Sequence, residues 1–562
     1  MKRLVVISLL VLLVLSPAFS QTPVNLYGRG ATGENGVVAA AKPEASQVGV
    51  DILRKGGNAV DAAVAVGFAL GVLEPNASGL GGGGFMLIKL ADMREAVVVD
   101  FREKAPAAAR PDMFRLDSDG NVIGRTNILT GLASGVPGEV AGLLTALEEY
   151  GSGRLSRADV MQPAIDYAVN GYRVTENLSP IIASNLSKIN DYPATAEIYT
   201  DDGLPPEVGS IIRNPDLANT LRQISRSGRN AFYRGRLARQ IAEGVQAAGG
   251  IITVEDLADY EVEIREPITG TYRGYDIIST PPASSGGTIV IEILNILENI
   301  DMASLGIGTT EAAHVWIEAM RLGFADRGAY MADADFVDVP LEGLTSKEFA
   351  RRRFEEIDMN RAMGRAESED PSRYESGSTT SYAVMDDAGN VVAVTKSINY
   401  FFGSGLTIPG TGILMNNHMG DFVARPGHIQ SVEPEKRPLS SMTPTLVLDE
   451  RHRPFMAVGS PGATRIIGAV AQTISNVVDL DMPIQDAVMA PRVFAMASGD
   501  AQLEGRISIN TMNGLIDLGH DVNVRNDWDA YFGGVHAVLF DHDEGILRGG
   551  ADPRRDGQAV GF

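Results

Sequence analysis

The stretch "ESGSTTSYAVMDDAGNVVAV", Glu375 to Val394, changes character at Thr379. Before it, Ala362–Ser378 carries charges of both signs, Gly364, Pro371 and Gly377 and no apolar period, which reads as a linker. Behind it, "SYAVMDD" and "NVVAVTKSI" flank Asp387-Ala388-Gly389-Asn390, a hairpin signal. A strand that opens on two threonines is either an ordinary edge entry, favoured by β propensity, or a latent N-terminus. Threonine is a weak nucleophile inside a chain. As an N-terminus it carries its own base, because a free α-amine titrates at about 7.7–8.0. Such a site needs a scissile bond on a loop, a Thr directly after it and a rigid strand behind, and residues 362–394 supply them in that order.

Outward from this point the chain reads as mixed α/β. "PEASQVGVDILRKG", "NAVDAAVAVGFALGVLE" and "PGEVAGLLTALEEYG" carry helical patterns, the second apolar nearly all round and therefore buried. "EAVVVDF", "YDIIST", "TPTLVL" and "PFMAVGS" read as strands. Strands lie toward both ends with a long helical region between, and no period of 20–50 residues repeats. The expectation is sheets covered by helices.

Composition narrows the function. With 562 residues, 44% of them hydrophobic, the chain can bury a large core. A net charge of -23 disfavours nucleic acid and anionic membrane as partners. The absence of cysteine removes disulfides, thiolate nucleophiles and cysteine metal sites. Residues 1–20 read as a signal peptide, with Lys2 and Arg3 ahead of "LVVISLLVLLVLS" and a small-residue "AFS" before Gln21, so the chain is expected to be exported to periplasm or medium and free of membrane once the signal is removed; an uncleaved anchor is the alternative. The seven histidines form no H-E-x-x-H or similar spacing, and His314 and His418 read as structural or substrate-facing. "SGLGGGGF" lacks the endings of a phosphate loop and reads as a close backbone approach. No G-x-S-x-G elbow is present.

Further segments change the weight given to Thr379. "DFRE" (Asp100–Glu103), "TTSY", "SIN" (Ser397–Asn399), "NNHMGDF" (Asn416–Phe422), "RPLSSM" (Arg437–Met442) and "GSPGATRI" (Gly459–Ile466), with "GGNAVDAAVA", "TPPASSGG" and "DPRRDGQAVGF", together resemble the γ-glutamyltranspeptidase (glutathione hydrolase) family of N-terminal-nucleophile hydrolases. The resemblance covers essentially the whole mature chain. It implies a four-layer αββα sandwich and self-cleavage at Ser378–Thr379. A large fragment, Gln21–Ser378, and a small one, Thr379–Phe562, would then form one intertwined domain as a heterodimer. Thr379 would attack a γ-glutamyl amide such as glutathione or another γ-glutamyl peptide, forming an ester that water or an amino acid or peptide acceptor resolves. Ser397 would support the nucleophile, and the amides of Gly462 and Ala463 would meet the oxyanion. Arg102, Ser440 and Ser441 would take the substrate α-carboxylate; Asp421 with Asn399 would take its α-ammonium, the cation and the anion being held apart. No metal or organic cofactor is implied.

Several positions depart from the family pattern. Ser381 stands where His is common, and Gly420 where an acidic residue is common. His418 replaces a Gln beside the ammonium site, where a cationic imidazole would weaken binding at low pH. Ala463 replaces a Gly, which is harmless to its N–H only if φ is negative. The short "ARPGHIQSVEPEKRPLSSM" implies a lidless, open cleft able to admit poly-γ-glutamate. The alternatives are a poly-γ-glutamate depolymerase, an acylase acting on glutaryl or cephalosporin side chains, and a processed but inactive binding protein.

Overall fold

The computed structural model describes residues 28–366 and 379–562. Its frame is two seven-stranded sheets whose strand neighbours all pair antiparallel. In one, the order is Gln558–Gly561, Gly36–Ala40, Thr380–Asp386, Val391–Ser397, Gly83–Lys89, Val97–Asp100, Glu263–Arg265. In the other it is Ala31–Gly33, Ile546–Ala551, His536–Asp541, Pro454–Gly459, Thr445–Leu448, Tyr275–Ser279, Ile268–Tyr272.

The period of two along the central strands decides which layer each side chain enters. Val37, Ala39, Phe85, Leu87, Ala383, Met385, Val391 and Ala393 join the core shared with the second sheet and the helices Gly286–Leu297, Thr310–Tyr330 and Arg465–Val478. Their neighbours Val38, Ala40, Met86, Ile88, Tyr382, Val384, Val392 and Val394 face the helices Pro43–Arg54, Ala59–Leu73 and Glu139–Tyr150. Helices on the outside and two facing sheets within make the αββα sandwich. Every residue of Ala59–Leu73 is buried, as its all-round apolar pattern requires.

The hairpin behind Thr379 forms as its sequence predicts. Gly389 adopts φ 86, and Asn390 donates its backbone N–H to the Asp386 carboxylate at 3.0 Å. The other Asp386 oxygen accepts the Ala59 N–H at 2.9 Å, tying the hairpin to the start of the buried helix. Lys396 on the second strand reaches through the helix-facing layer to Glu139 at 2.6 Å, both side chains fully buried. Breaking such a pair by losing one partner costs roughly 3–5 kcal/mol, so the strand ends beside Thr379 are firmly placed.

The Gly-rich run is a close backbone approach. A Cβ on Gly82 would stand 2.2 Å from the Ser397 carbonyl oxygen, and one on Gly83 2.4 Å from that of Phe101. The linker reading needs correcting in part. Ala362, Met363 and Ala366 are pinned through their N–H groups to the Leu518 carbonyl, the Glu318 carboxylate and the Ala497 carbonyl, whereas the rest of the run, with Ser378, lies outside the described residues. The predicted signal peptide also lies outside them. Among the described residues no helix is long and apolar enough to cross a membrane.

Candidate active site

Thr379 is buried directly before the strand Thr380–Asp386, opposite the end of Val391–Ser397. The register Thr380↔Lys396 sets it beside Ser397, and its Oγ1 lies 3.4 Å from Ser397 Oγ. Alternation turns both hydroxyls toward the second sheet. Ser381, two residues on, points the same way and bonds His536 Nδ1 at 2.9 Å. Ser397 Oγ also accepts the Asn399 N–H at 2.7 Å, which fixes it at the strand end. Asn399 itself has φ 76, in the left-handed region an Asn tolerates.

Thr379, Ser397, Asn399, Arg102, His418, Asp421, Ser440, Ser441 and Ala463 all line one narrow cavity of about 30 Å³. The charges there are in contact, not apart. Arg102 NH2 donates to Asp421 Oδ2 at 2.7 Å, and Asn399 Nδ2 donates to the other Asp421 oxygen at 2.7 Å. The expectation of a separated cation and anion is corrected: a guanidinium only 1% exposed needs a counter-charge, and Asp421 supplies it. Arg102 further donates to Pro438 O at 3.2 Å and Glu103 at 3.4 Å, and its N–H bonds Asp100 at 3.0 Å.

The serine pair is oriented by its surroundings. Ser440 Oγ accepts the Met442 N–H at 3.0 Å, and Ser441 Oγ accepts Arg327 NH2 at 3.0 Å. A hydroxyl that accepts from the protein has its own proton to donate, so both serines can offer a donor to an anion in the cavity. "TPPASSGG" backs this segment: Ser285 bonds the Ser440 carbonyl through both its N–H (2.9 Å) and its hydroxyl (2.7 Å). Arg327, which bridges Ser285 and Ser441, was not foreseen from sequence; only its place on the helix Thr310–Tyr330 brings it there.

The strand Pro454–Gly459 leaves through Ser460-Pro461-Gly462-Ala463-Thr464 into the helix Arg465–Val478. No acceptor among the described residues takes the Gly462 or Ala463 N–H. The condition set on Ala463 fails: its φ is 51, not negative. The turn needs the left-handed region there, at a cost of about 1–2 kcal/mol for a residue with a Cβ, but the N–H is retained.

His418 also corrects the sequence reading. It is buried, its Nδ1 2.8 Å from Glu103 Oε1. Burial, aided by the Arg102 charge, drives the imidazole well below its usual range. Burial pushes the Glu103 carboxyl up to about 8, against the opposing pull of Arg102. Near neutrality the imidazole is thus held neutral and the carboxyl protonated, the pair carries no net charge, and no cationic imidazole repels an ammonium. Glu103 titrates higher folded than unfolded, so the stability it contributes is complete below about 4.5 and is lost as pH rises toward about 8. Glu103→Gln removes that titration. Its melting temperature relative to wild type is expected to climb between those two pH values and stay level above them. A difference independent of pH, by calorimetry, would show that Glu103 titrates as in the unfolded chain.

A second cluster escaped the histidine spacing rule. His314 and Glu318, one turn apart on Thr310–Tyr330, meet His520. His314 Nδ1 and His520 Nε2 are 2.7 Å apart, a hydrogen-bond separation, and Arg321 Nε stands 3.8 Å from Glu318, which disfavours a further cation. The cluster instead grips the segment ahead of residue 367. His314 Nε2 bonds the Asp358 carbonyl at 3.0 Å and Glu318 accepts the Met363 N–H at 2.9 Å.

The sequence profile of gamma-glutamyltranspeptidase matches residues 45–562. The chain is 41% identical to a glutathione hydrolase proenzyme of Escherichia coli strain K12, over 93% of this chain and 90% of that one. It is also 41% identical to the Acylase ACY 1 proenzyme of Pseudomonas sp. strain SE83, over 94% of each. Among solved structures, cephalosporin acylase from Bacillus halodurans superposes with a TM-score of 0.85 at 31% identity, covering 94% of this chain and 96% of that one. Glutathione hydrolases and acylases are thus equally near in identity, and substrate must be argued from the site. On the match across nearly its whole length, the chain belongs to the gamma-glutamyltranspeptidase family.

Proposed function

We propose that this chain is a self-processing γ-glutamyl amide hydrolase and transferase whose nucleophile is Thr379. The observation that carries the reading is the Arg102–Asp421–Asn399 set in the same cavity as the Thr379 hydroxyl. A γ-glutamyl head group is a zwitterion. Its carboxylate would take over Arg102, with the two serine hydroxyls, while its ammonium takes over Asp421 and Asn399. One internal ion pair is exchanged for two pairs with the ligand, so neither protein charge is left buried alone.

The first turnover would be intramolecular. Thr379 Oγ attacks the Ser378 carbonyl, the peptide bond becomes an ester, and water releases Thr379 with a free α-amine. In later turnovers that amine accepts the Oγ proton as Oγ attacks the γ-carbonyl, and returns it to the departing nitrogen. Ser397 holds the hydroxyl in line. The N–H groups of Gly462 and Ala463 receive the oxyanion, each donor of this kind being worth roughly 2.7–4 kcal/mol. Water then gives hydrolysis, and an amine gives transpeptidation. Fragments Gln21–Ser378 and Thr379–Phe562 would remain as a heterodimer, since each of the two sheets is built from strands of both. Export after loss of residues 1–20 completes the proposal.

A second reading, an acylase for glutaryl-type side chains, draws on the relatives of that name. It leaves Asp421 without a ligand charge to meet. Release of p-nitroaniline from γ-glutamyl-p-nitroanilide is expected to exceed release from glutaryl-p-nitroanilide by about 150-fold, the worth of roughly 3 kcal/mol from one buried charge pair. Equal rates, or the reverse order, would favour the acylase.

A further inference from the structure

Arg327 is only 4% exposed on the helix Thr310–Tyr330. Its Nε donates to Ser285 Oγ at 2.9 Å and its NH2 to Ser441 Oγ at 3.0 Å, and neither partner is charged. The other buried guanidiniums behave differently. Those of Arg102, Arg321, Arg437, Arg492 and Arg554 each stand 2.6–3.8 Å from a carboxylate oxygen. Among the described residues no carboxylate pairs with Arg327 in this way. Asp326, its neighbour in sequence, is taken by Arg353 at 2.8 Å. Arg327 also lines a second cavity, of about 490 Å³, whose one carboxylate is Asp421, and that side chain is bonded by Arg102 and Asn399. A guanidinium taken out of water without a counter-charge is costly. The cost is offset when an anion arrives nearby, and Ser441, to which Arg327 is bonded, lines the cavity assigned to the substrate carboxylate.

Two guanidiniums bracket the segment that carries the serine pair. Arg102 donates to the Pro438 carbonyl at 3.2 Å and to the Leu439 carbonyl at 3.4 Å. Arg327 holds the far end by both arms of its planar fork. One arm bonds Ser441 Oγ directly. The other bonds Ser285 Oγ, whose own proton goes to the Ser440 carbonyl at 2.7 Å. Filling an acceptor position on a hydroxyl restricts where its proton can point. No acceptor among the described residues takes the Ser441 hydroxyl proton. A hydroxyl that accepts from a cation is polarised by it and becomes a stronger donor in turn.

Resting on the γ-glutamyl reading, we infer that Arg327 is a positioning residue for the substrate α-carboxylate, turning the Ser441 hydroxyl proton into the cavity and relaying its own charge through that hydroxyl. Arg102 alone is a poor attractor, because Asp421 neutralises it until an ammonium takes Asp421 over. Arg327 needs no such exchange. Its charge favours a carboxylate at that end whether or not an ammonium accompanies it. Arg327 and Ser441 thus read the carboxylate, and Asp421 reads the ammonium.

The test uses γ-glutamyl-p-nitroanilide and its analogue in which the α-carboxylate is an α-carboxamide. In wild type, kcat/KM is expected to favour the carboxylate donor. Arg327→Gln keeps a hydrogen-bond donor and removes the charge. It is expected to lower that preference about tenfold (about 1.4 kcal/mol), through the KM of the carboxylate donor, with kcat for both donors within about twofold of wild type. Arg327→Lys, which keeps the charge, is expected to recover part of the preference. Ser441→Ala is also expected to lower it, and adding Arg327→Gln to that variant to change it by about twofold at most, since the two residues act in series. If both donors lose equally in Arg327→Gln, or if Arg327→Gln still costs tenfold in the Ser441→Ala background, the assignment is overturned. If neither Arg327 variant gives a folded protein by calorimetry, the residue is scaffolding and the assignment falls as well. A wild type that turns over neither donor brings down the γ-glutamyl reading itself, an outcome distinct from a wild type that turns over both with a preference Arg327 does not touch.

Discussion

Thr379→Ala is expected to run as one chain on a denaturing gel where the wild type gives two bands, and to lose activity on γ-glutamyl-p-nitroanilide by about 10⁴-fold or more. Thr379 Oγ1 faces the space between the sheets, 3.4 Å from a Ser397 hydroxyl that is itself fixed by the Asn399 N–H. Alanine removes the oxygen that, in the proposed mechanism, would attack Ser378 and keeps the Cβ, so the strand and its pairing to Lys396 and beyond have no reason to change. One substitution therefore removes cleavage, the α-amine that cleavage would release, and the nucleophile together. Thr379→Ser restores the hydroxyl and is expected to restore both bands, more slowly, because a serine lacks the methyl that limits χ1. A wild-type chain that stays whole while retaining full amidase activity would end the mechanism. An alanine variant that still cuts itself would move the nucleophile elsewhere.

Much of this was legible in the sequence because it rests on local patterns. The hairpin behind Thr379 follows from alternation and Asp387–Asn390, and the strand, turn and helix from Pro454 to Val478 follow from Gly/Pro punctuation between two periodic runs. The gathering of Arg102, Asp421, Ser440 and Ser441 around Thr379 was not legible from spacing. These residues are scattered along the chain, Arg102 hundreds of positions from the rest, and only the resemblance to a family joined them. What neither pattern nor resemblance supplied were the consequences of burial. His418 was expected to turn cationic at low pH because an isolated imidazole titrates near neutrality, but inside the fold burial beside Glu103 and the Arg102 charge keeps it neutral. Arg102 and Asp421 looked like two separate ligand contacts, but a buried guanidinium finds the nearest carboxylate. Ala463 looked safe only at negative φ, and the turn imposes the opposite sign.

Asp421→Asn tests the substrate through that same ion pair. The amide keeps the size of the carboxylate, and its Oδ1 can still accept Asn399 Nδ2, as Asp421 does at 2.7 Å. Its Nδ2 would face Arg102 NH2, donor against donor, where the carboxylate now sits 2.7 Å away. The variant thus removes the charge that an α-ammonium needs and leaves Arg102 in want of an anion. For γ-glutamyl-p-nitroanilide, kcat/KM is expected to fall about 150-fold, corresponding to roughly 3 kcal/mol for a broken, largely buried pair. Glutaryl-p-nitroanilide has a carboxylate but no ammonium, so it meets an Arg102 freed from its internal partner and loses no contact through the substitution. Its kcat/KM is expected to hold or rise, and the preference between the two donors to move by about two orders of magnitude. The comparison separates binding from architecture. If Asp421 only kept Arg102 in place, both donors would fall together, because both need that guanidinium oriented. If neither falls, the ammonium is met elsewhere and the zwitterion reading of this cavity is wrong. A divergence of the two donors is the outcome that a carboxylate bound to the substrate's ammonium requires.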